Sequence, residues 1–346
     1  MTGRIEIGND RSGSAHMIDE AGQLITSMQA FHLDGAGGMT AIEVPAGMAD
    51  LPGDGFNWVH ILGRSDEIDA WLRGSGIDLI SLAALTAEET APRATAQGQT
   101  ILVNLRGVNL SPGAEPEDMV SIRMFISERL VISLQRRPLY AVRDVIRDGE
   151  GGHGAVSPGE LVARIALRLA ERAEPVVMAL NERVDELEDQ VIEENSSVQR
   201  GDLADIRRMA IMMRRYMFPQ RDALNRFELE EMDWLHGLGR SRLREAAERM
   251  TRLAEELDSI RDRAQIVRDE VMDLRGEAMN RQMLVLSVVT AVFLPLGLIT
   301  GLLGINVGGI PGASVGWAFW GVVGVLIVLA VIQFWVFWKI GLIRRG

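Results

Sequence analysis

The chain has 346 residues, a formal net charge of −12 at pH 7 and no cysteine. The acidic balance argues against nucleic acid as the main partner, and the lack of cysteine excludes disulfides and thiolate metal sites. No Asp, Glu, Lys, Arg or His lies between Arg281 and Lys339, although the rest of the chain is dense in charge. This stretch has room for two membrane-spanning helices and a turn. We therefore predict an integral membrane protein of α+β class.

Residues 1–156 are predicted to form a cytoplasmic α/β domain. Its strands are indicated by runs rich in β-branched and aromatic residues that glycine or polar turns separate. The predicted strands are Gln29–Leu33, Thr40–Val44, Phe56–Leu62, Thr100–Leu105, Val120–Ile126 and Leu130–Leu134. Helices are predicted at Ser65–Arg73 and Leu79–Thr86.

Residues 157–281 are predicted to form a cytoplasmic helical region. Ser157, Pro158 and Glu160 have the pattern of a capping box with proline at the first helical position. The first helix carries an apolar seam and is predicted to end at Asn195–Ser197. The seam residues are Leu180, Val184, Leu187 and Val191. A second helix is predicted over residues 202–233, with a bend at Pro219.

A third helix is predicted to begin near Ser241, after a break at residues 236–239. No helix breaker follows before the membrane, so about sixty residues would make a stalk roughly 90 Å long. Its apolar positions recur every three or four residues, as a helix that packs along its length requires. These positions are Leu257, Ile260, Ala264, Val267, Val271, Leu274 and Ala278.

Residues 282–346 are predicted to form a two-helix transmembrane domain. The first span is placed at Met283–Leu303 and continues the stalk, and the second is placed at Trp317–Trp338. Aromatic residues lie at both ends of the second span, as at membrane interfaces. Positive charge flanks the hairpin and is absent from its loop. The positive-inside rule therefore puts both termini in the cytoplasm and the loop outside.

One face of the first span collects polar and small residues. Its members are Asn280, Met283, Ser287, Thr290, Leu294, Gly297 and Gly301. Small and hydroxyl residues commonly let membrane helices pack closely, and packing is one interpretation. The other is a pore, which two spans cannot enclose alone and which therefore needs several subunits. Met283 and Leu294 would then be candidate apolar gates.

Carboxylates extend this face toward the N-terminus of the helix. Asp262, Asp269 and Asp273 follow the same spacing of three and four residues. In a pore they would concentrate cations at the cytoplasmic mouth. The alternative is an ordinary solvated stalk face.

Two longer motifs resemble a known family. Gly304-Ile305-Asn306, followed by a Val-Gly-Gly-Ile-Pro-Gly segment, resembles the Gly-x-Asn motif of the CorA family of divalent-metal transporters. This Gly-Ile-Asn variant, with the Arg-Arg-Tyr-Met-Phe-Pro-Gln-Arg-Asp string at residues 214–222, is similar to the ZntB zinc-transport branch. The resemblance covers the whole chain.

The resemblance implies a funnel-shaped homopentamer in the bacterial inner membrane, with the first span of each copy lining the pore. It implies that Gly304, Ile305 and Asn306 form the selectivity filter, with Asn306 contacting a hydrated metal ion. The cargo would be Zn²⁺, with proton-coupled uptake proposed and export also argued for the family. No tightly bound cofactor and no nucleic-acid partner are expected. The loop departs from many CorA loops because it lacks an acidic residue.

The residues themselves do not select zinc. The five histidines, at 16, 32, 60, 153 and 236, show no ligand spacing. A filter for hydrated ions could equally pass Mg²⁺, Co²⁺ or Ni²⁺. A non-transporting membrane scaffold or sensor is a further alternative, and no nucleophile–base pair or phosphate loop supports an enzyme. Arg214, Arg215 and Arg221 have two interpretations, a functional role or ion pairs with the acidic first helix, and we expect the ion pairs.

Overall fold

The computed structural model describes residues 6–9, 15–18, 26–45, 50–88, 91–192, 200–235, 237–305, 308, 310, 312 and 314–340. The chain divides into two compact units, Met1–Arg268 and Asp269–Gly346. The first unit holds the sheets and most of the helices, and the second holds the apolar helices.

The first unit contains a mixed sheet of seven strands and a separate hairpin. The strands are β1 Glu6–Asn9, β2 Ala15–Ile18, β3 Ser27–Leu33, β4 Met39–Ile42, β5 Phe56–Leu62, β6 Arg93–Gln97, β7 Thr100–Gly107, β8 Val120–Ile126 and β9 Leu130–Gln135. The large sheet has the order β4-β3-β5-β9-β8-β7-β6, and β1 pairs with β2. Strands β5 and β9 run parallel, and the other neighbours are antiparallel. The six predicted strands are confirmed within three residues at each end.

The helices are α1 Asp66–Gly74, α2 Leu79–Thr86, α3 Tyr140–Asp148, α4 Pro158–Ile192, α5 Arg200–Leu229, α6 Gly237–Leu303 and α7 Ala318–Lys339. The helix predicted from residue 157 is confirmed with proline as its first residue, and the amide of Glu160 donates to Ser157 Oγ at 3.2 Å. The predicted end at Asn195–Ser197 lies outside the described residues. Helix α5 is continuous through Pro219, and the bend there stays a prediction.

Two predicted boundaries were wrong. Helix α5 ends at Leu229 rather than near residue 233, and α6 begins at Gly237 rather than near Ser241. The glycines that indicated a break are part of the helix, because the start of α6 lies against the start of α4. A Cβ atom on Gly239 would lie 3.3 Å from the backbone nitrogen of Glu160. Glycine here permits close approach rather than ending the helix.

Helices α4, α5 and α6 are joined by an apolar seam. The seam predicted for α4 is buried, and so is the stalk seam from Leu257 to Val271. Leu274 is 41% exposed and Ala278 is exposed, so in this chain the buried seam stops before the apolar span.

Ion pairs also connect these helices, but the predicted pairing of the arginines was wrong in its partners. Arg214 pairs with Asp258 on α6, and Arg221 pairs with its neighbour Asp222. The acidic face of α4 is instead engaged by Arg263 of α6, which contacts Asp185 and Glu188.

The two faces of the sheet differ in character. One face carries Ala30, Val59 and Ile132, which form an apolar core with Ile68 and Leu72 of α1. On the opposite face, β3, β5 and β9 carry polar side chains at paired positions, Gln29, His60 and Ser133, beside buried apolar ones such as Trp58. None of the site residues predicted from the sequence lies on this second face.

Candidate functional site

The second unit is built on the contact between α6 and α7. Gln333 of α7 donates from Nε2 to the carbonyl of Ala291 on α6 at 3.4 Å. A cleft between the helices is lined by Ile299 of α6 and by Gly321 and Val325 of α7. The half-buried residues of the α6 span mark the face turned toward α7. They are Val288, Val292, Pro295, Leu296 and Ile299.

The polar and small face predicted from the sequence lies on the other side of α6. All of its residues, from Asn280 through Gly301, are exposed; Met283 is 60% exposed and Leu294 is 71% exposed. With 3.6 residues per turn, the centres of the two faces lie about 160° apart around the helix. Packing against α7 of the same chain therefore does not explain the polar face. The polar face is therefore left to contact a neighbouring copy, lipid or an aqueous path.

The hydroxyls on this face are held in one orientation. Ser287 Oγ donates to the carbonyl of Met283, and Thr290 Oγ1 donates to the carbonyl of Leu286, each at 2.8 Å. Because the hydrogen of each hydroxyl is used in this way, its oxygen presents acceptor lone pairs away from the helix. A polar face of this kind offers acceptors rather than donors.

The glycines on this face are not required by packing inside the chain. A Cβ atom added to Gly297 or to Gly301 would meet nothing within 4 Å. The helix then ends at a turn in which the amide of Gly304 donates to the carbonyl of Thr300 at 2.9 Å. Small residues with open space beside them leave room for another molecule along this side of α6.

The predicted filter is only partly described. Gly304 and Ile305 follow the last turn of α6, and Ile305 is 50% exposed. Asn306 lies outside the described residues. The role of all three residues therefore stays a prediction.

The predicted cation-attracting carboxylates are on α6 and are exposed. Asp262, in the first unit, accepts from the guanidinium of its neighbour Arg261 at 2.7 Å, so its charge is partly offset. Asp269 and Asp273, in the second unit, are exposed.

The histidines do not gather into a metal site in the described part of the chain. His32 Nδ1 contacts Asn57 Oδ1 at 3.1 Å, and His60 Nδ1 contacts Ser133 Oγ at 2.8 Å. No group of three or more His, Cys, Asp or Glu side chains that could hold a metal ion occurs among the described residues. The fifth histidine, His236, lies outside them. The ligand set of a dehydrated zinc site, typically four side chains in a tetrahedron, is not assembled in this region.

One functional candidate was missed from the sequence. Gln333 is the only amide side chain of α7, and its Oε1 atom is buried without a hydrogen-bond partner among the described residues. A polar side chain inside a bilayer is costly and usually marks a functional site. Its isolation in a charge-free span was the signal that could have identified it.

The comparison with family models decides the family. Residues 53–344 match the model described as CorA-like Mg²⁺ transporter protein. The chain belongs to the CorA family. This CorA-family chain is 37% identical over 286 residues to the divalent cation transporter CmaX of Pseudomonas aeruginosa, covering 82% of this chain and 86% of that protein. It is 35% identical over 295 residues to the zinc transport protein ZntB of Pectobacterium atrosepticum, covering 85% and 89%.

Solved structures agree with the CorA assignment. The structure of full-length CmaX has a TM-score of 0.77 and 36% identity, and the alignment covers 90% of this chain and 96% of that one. The CorA magnesium transporter of Methanocaldococcus jannaschii has a TM-score of 0.76 at 18% identity, covering 94% and 99%, and shows the shared fold. The predicted fold of a mixed-sheet domain, a long helix and two apolar helices is confirmed. Helices α6 and α7 are both long and apolar enough to cross a membrane.

Proposed function

We propose that this chain transports a divalent cation across a membrane, through a pore that several copies line with the polar face of α6. The observation that carries this is the exposure of that face on the side of α6 opposite to α7. A ring of copies would place it on a common axis, and the lipid would contact the aromatic ends of α7. The family resemblance supports five copies.

The chemistry of the face suits a cation that keeps its water. The water molecules around a metal ion direct their hydrogens outward, so the wall of their path must supply acceptors. The oriented oxygens of Ser287 and Thr290 are such acceptors. Charge is absent from the span, so no strong site would strip the ion of water. Met283 and Leu294 would form apolar constrictions, and Gly304, Ile305 and Asn306 would form the outer filter.

Zinc is the proposed cargo. Relatives at about a third identity carry the name zinc transport protein, which supports it. The similar CmaX is named only for divalent cations, so Mg²⁺, Co²⁺ and Ni²⁺ are the competing cargoes. Proton-coupled uptake is part of the proposal.

The remaining assignments follow from the same proposal. Residues 1–156 form the cytoplasmic sheet domain, residues 157–281 form the stalk region, and residues 282–346 form the transmembrane domain. The protein lies in the bacterial inner membrane with both termini in the cytoplasm, because positive charge flanks the hairpin. Asp262, Asp269 and Asp273 would draw cations to the cytoplasmic mouth.

Ion flux into proteoliposomes tests the function. Purified protein should carry Zn²⁺ above the level of empty vesicles, and side-by-side uptake of Zn²⁺ and Mg²⁺ ranks the cargoes. Flux at the empty-vesicle level, with and without a proton gradient, would contradict transport. A mass measurement in detergent should give a pentamer, and a monomer would leave no pore.

The filter is tested by Asn306→Ala. Removal of the amide should abolish flux, while the variant elutes from size exclusion as the wild-type oligomer does. Flux equal to the wild type would remove Asn306 from the filter.

A further inference from the structure

A cleft of about 520 Å³ lies in the first unit, between the sheet and α3. It is formed at the carboxyl ends of β5 and β9, the parallel pair of the sheet. After β5 the chain continues into α1, which packs on one face, and after β9 it continues into α3, which lines the cleft on the other. Crevices of this kind, where connections leave parallel strands toward opposite faces, are where open sheets commonly bind ligands.

The sheet face that forms the floor of the cleft is polar across three adjacent strands. In the strand register Gln29 pairs with His60, which pairs with Ser133, and Leu62 pairs with Gln135. The reverse face of the same strands is the apolar core around Val59. A core of this size does not require buried amides, so the polar floor needs a separate explanation.

Gln135 supplies the most specific observation. It is 3% exposed, it lines the cleft, and its Oε1 atom accepts no hydrogen bond from the part of the chain that the structure describes. Buried amide oxygens are nearly always paired, because leaving one unpaired costs free energy. This oxygen is an acceptor that a ligand with an N–H or O–H group would satisfy.

His60 adds an uncharged imidazole to the floor. Burial lowers its pKa to about 4, so the ring is neutral at physiological pH. Its Nδ1 contacts Ser133 Oγ, which also accepts from Trp58 Nε1 at 2.8 Å. The floor therefore carries amides and an imidazole without charge, which suits a neutral hydrogen-bonding moiety.

The mouth of the cleft is positively charged. Arg143 is exposed and lies over the ring of Tyr140 at 5.4 Å, and it forms no ion pair within the described residues. Arg147 contacts Asp144 at 3.2 Å, but that carboxylate is already held by two hydrogen bonds from Arg172 at 2.8 Å. Among the described residues, Glu150 is the one carboxylate that lines the cleft. Two guanidinium groups beside one carboxylate leave a net charge that favours an anion.

We propose that this cleft binds a small organic anion, whose phosphate or carboxylate contacts Arg143 and Arg147 and whose N–H or O–H donor reaches Gln135. The volume lies within the ~300–1,000 Å³ range of small-molecule sites and accommodates a nucleoside monophosphate. None of the residues that line the cleft belongs to the proposed ion path, so failure of this proposal and failure of the transport proposal can be distinguished.

Calorimetry on the full-length protein in detergent tests the proposal, in metal-free buffer so that no probe binds through an ion. The probes are adenosine and cytidine monophosphates, malate and inorganic phosphate. At least one organic anion should bind saturably. Gln135→Leu and Arg143→Gln should each weaken that binding about tenfold or more, because each removes a contact to the ligand. Arg73→Gln, at an exposed arginine in the last turn of α1, is the matched control and should bind as the wild type does.

The unliganded stability of Gln135→Leu separates a binding residue from a structural one. Removal of an unpaired buried oxygen should leave the unfolding temperature equal or higher, while ligand-induced stabilisation is lost. A lower unfolding temperature without ligand would show a structural role and overturn the proposal. It would also be overturned if no organic probe binds, if inorganic phosphate binds as tightly as the organic anions, or if binding survives both cleft substitutions.

Discussion

The two units of the molecule bury their apolar residues in opposite ways. In the first unit Trp58, Phe227 and Met124 are almost inaccessible to solvent. In the second unit Leu294 is 71% exposed and Trp320 is 72% exposed. No residue in the most apolar stretch of either long helix is buried. The first unit is stabilised by its own chain. The second has a surface that only lipid or other copies can cover.

The two units also differ in the hydrogen bonds that their polar side chains form. Helices of the first unit are tied together by arginine–carboxylate pairs such as those of Arg263. In the second unit hydroxyls donate to carbonyls of their own helix, as Thr300 does at 3.0 Å. Substitutions in the first unit should therefore change folding stability, whereas those on the exposed face of α6 should change transport.

Gly297→Phe is expected to have the largest effect. A Cβ atom at Gly297 meets nothing within 4 Å, so the ring should not disturb the hairpin of one chain. If the face lines a pore, flux should fall to the level of empty vesicles with the oligomer intact. Gly324→Phe is the matched control, because Gly324 on α7 has equally open surroundings and should tolerate the ring. Equal flux from both variants would contradict a pore on this face.

Glu160→Ala should destabilise the first unit. The Glu160 carboxylate is fully buried, accepts from the amide of Val156 at 2.8 Å, and pairs with Arg164 of α4 and Arg242 of α6. Loss of a buried, multiply bonded charge should cost about 3 kcal/mol, read as a lower thermal unfolding midpoint. Glu174→Ala, at a half-exposed carboxylate 3.8 Å from Arg249, should cost less than about 1 kcal/mol. Similar costs for both variants would show that the network contributes little.

His60 makes stability depend on pH. Burial lowers its pKa in the folded state from 6.5 to about 4, so the unfolded chain takes up the proton first as the pH falls. Stability is therefore complete above 6.5 and declines as the pH falls toward about 4. Between about pH 7.5 and about pH 5 the loss should be about 2 kcal/mol. His60→Gln, which stays neutral, should show a smaller fall in unfolding temperature over this range. The same fall in both proteins would assign the effect to other groups.

Thr290→Val should have the smallest effect. It removes one acceptor from the proposed ion path and keeps the shape of the side chain, so flux should fall about three- to tenfold without a change in stability. Thr300→Val is the control, because Thr300 has the same bond to its own helix but lies off the polar face. A larger loss in the control would contradict the assignment of the acceptors.

The sequence predicted some elements at their observed ends and missed others. Strands β5 and β8 were predicted with their observed ends, since most of their residues are β-branched, aromatic or otherwise apolar. Strand β6 was missed because only Ala94 of its five residues is buried. Helix α3 was missed because it has nine residues and its N-cap, Leu139, makes no side-chain cap hydrogen bond.

The candidate site was predicted from the sequence only in part. The polar face of α6 follows from residue spacing alone, since side chains three and four positions apart share a helix face. Which face turns toward α7 did not follow, because the α7 span is apolar on all sides apart from Gln333. The cleft beside α3 could not be found either, since it depends on the register of β3, β5 and β9, which distant contacts determine.

The two edge strands of the large sheet determine how readily the sheets of two copies could aggregate. Exposed strand edges carry unpaired backbone groups that can join to another chain. Strand β6, at one edge, is short and polar and lies against α5, while β4, at the other edge, has four residues. Neither edge offers a long apolar template, so edge-to-edge pairing between the sheets of two copies is disfavoured. Any contact between copies is then expected on surfaces other than the strand edges.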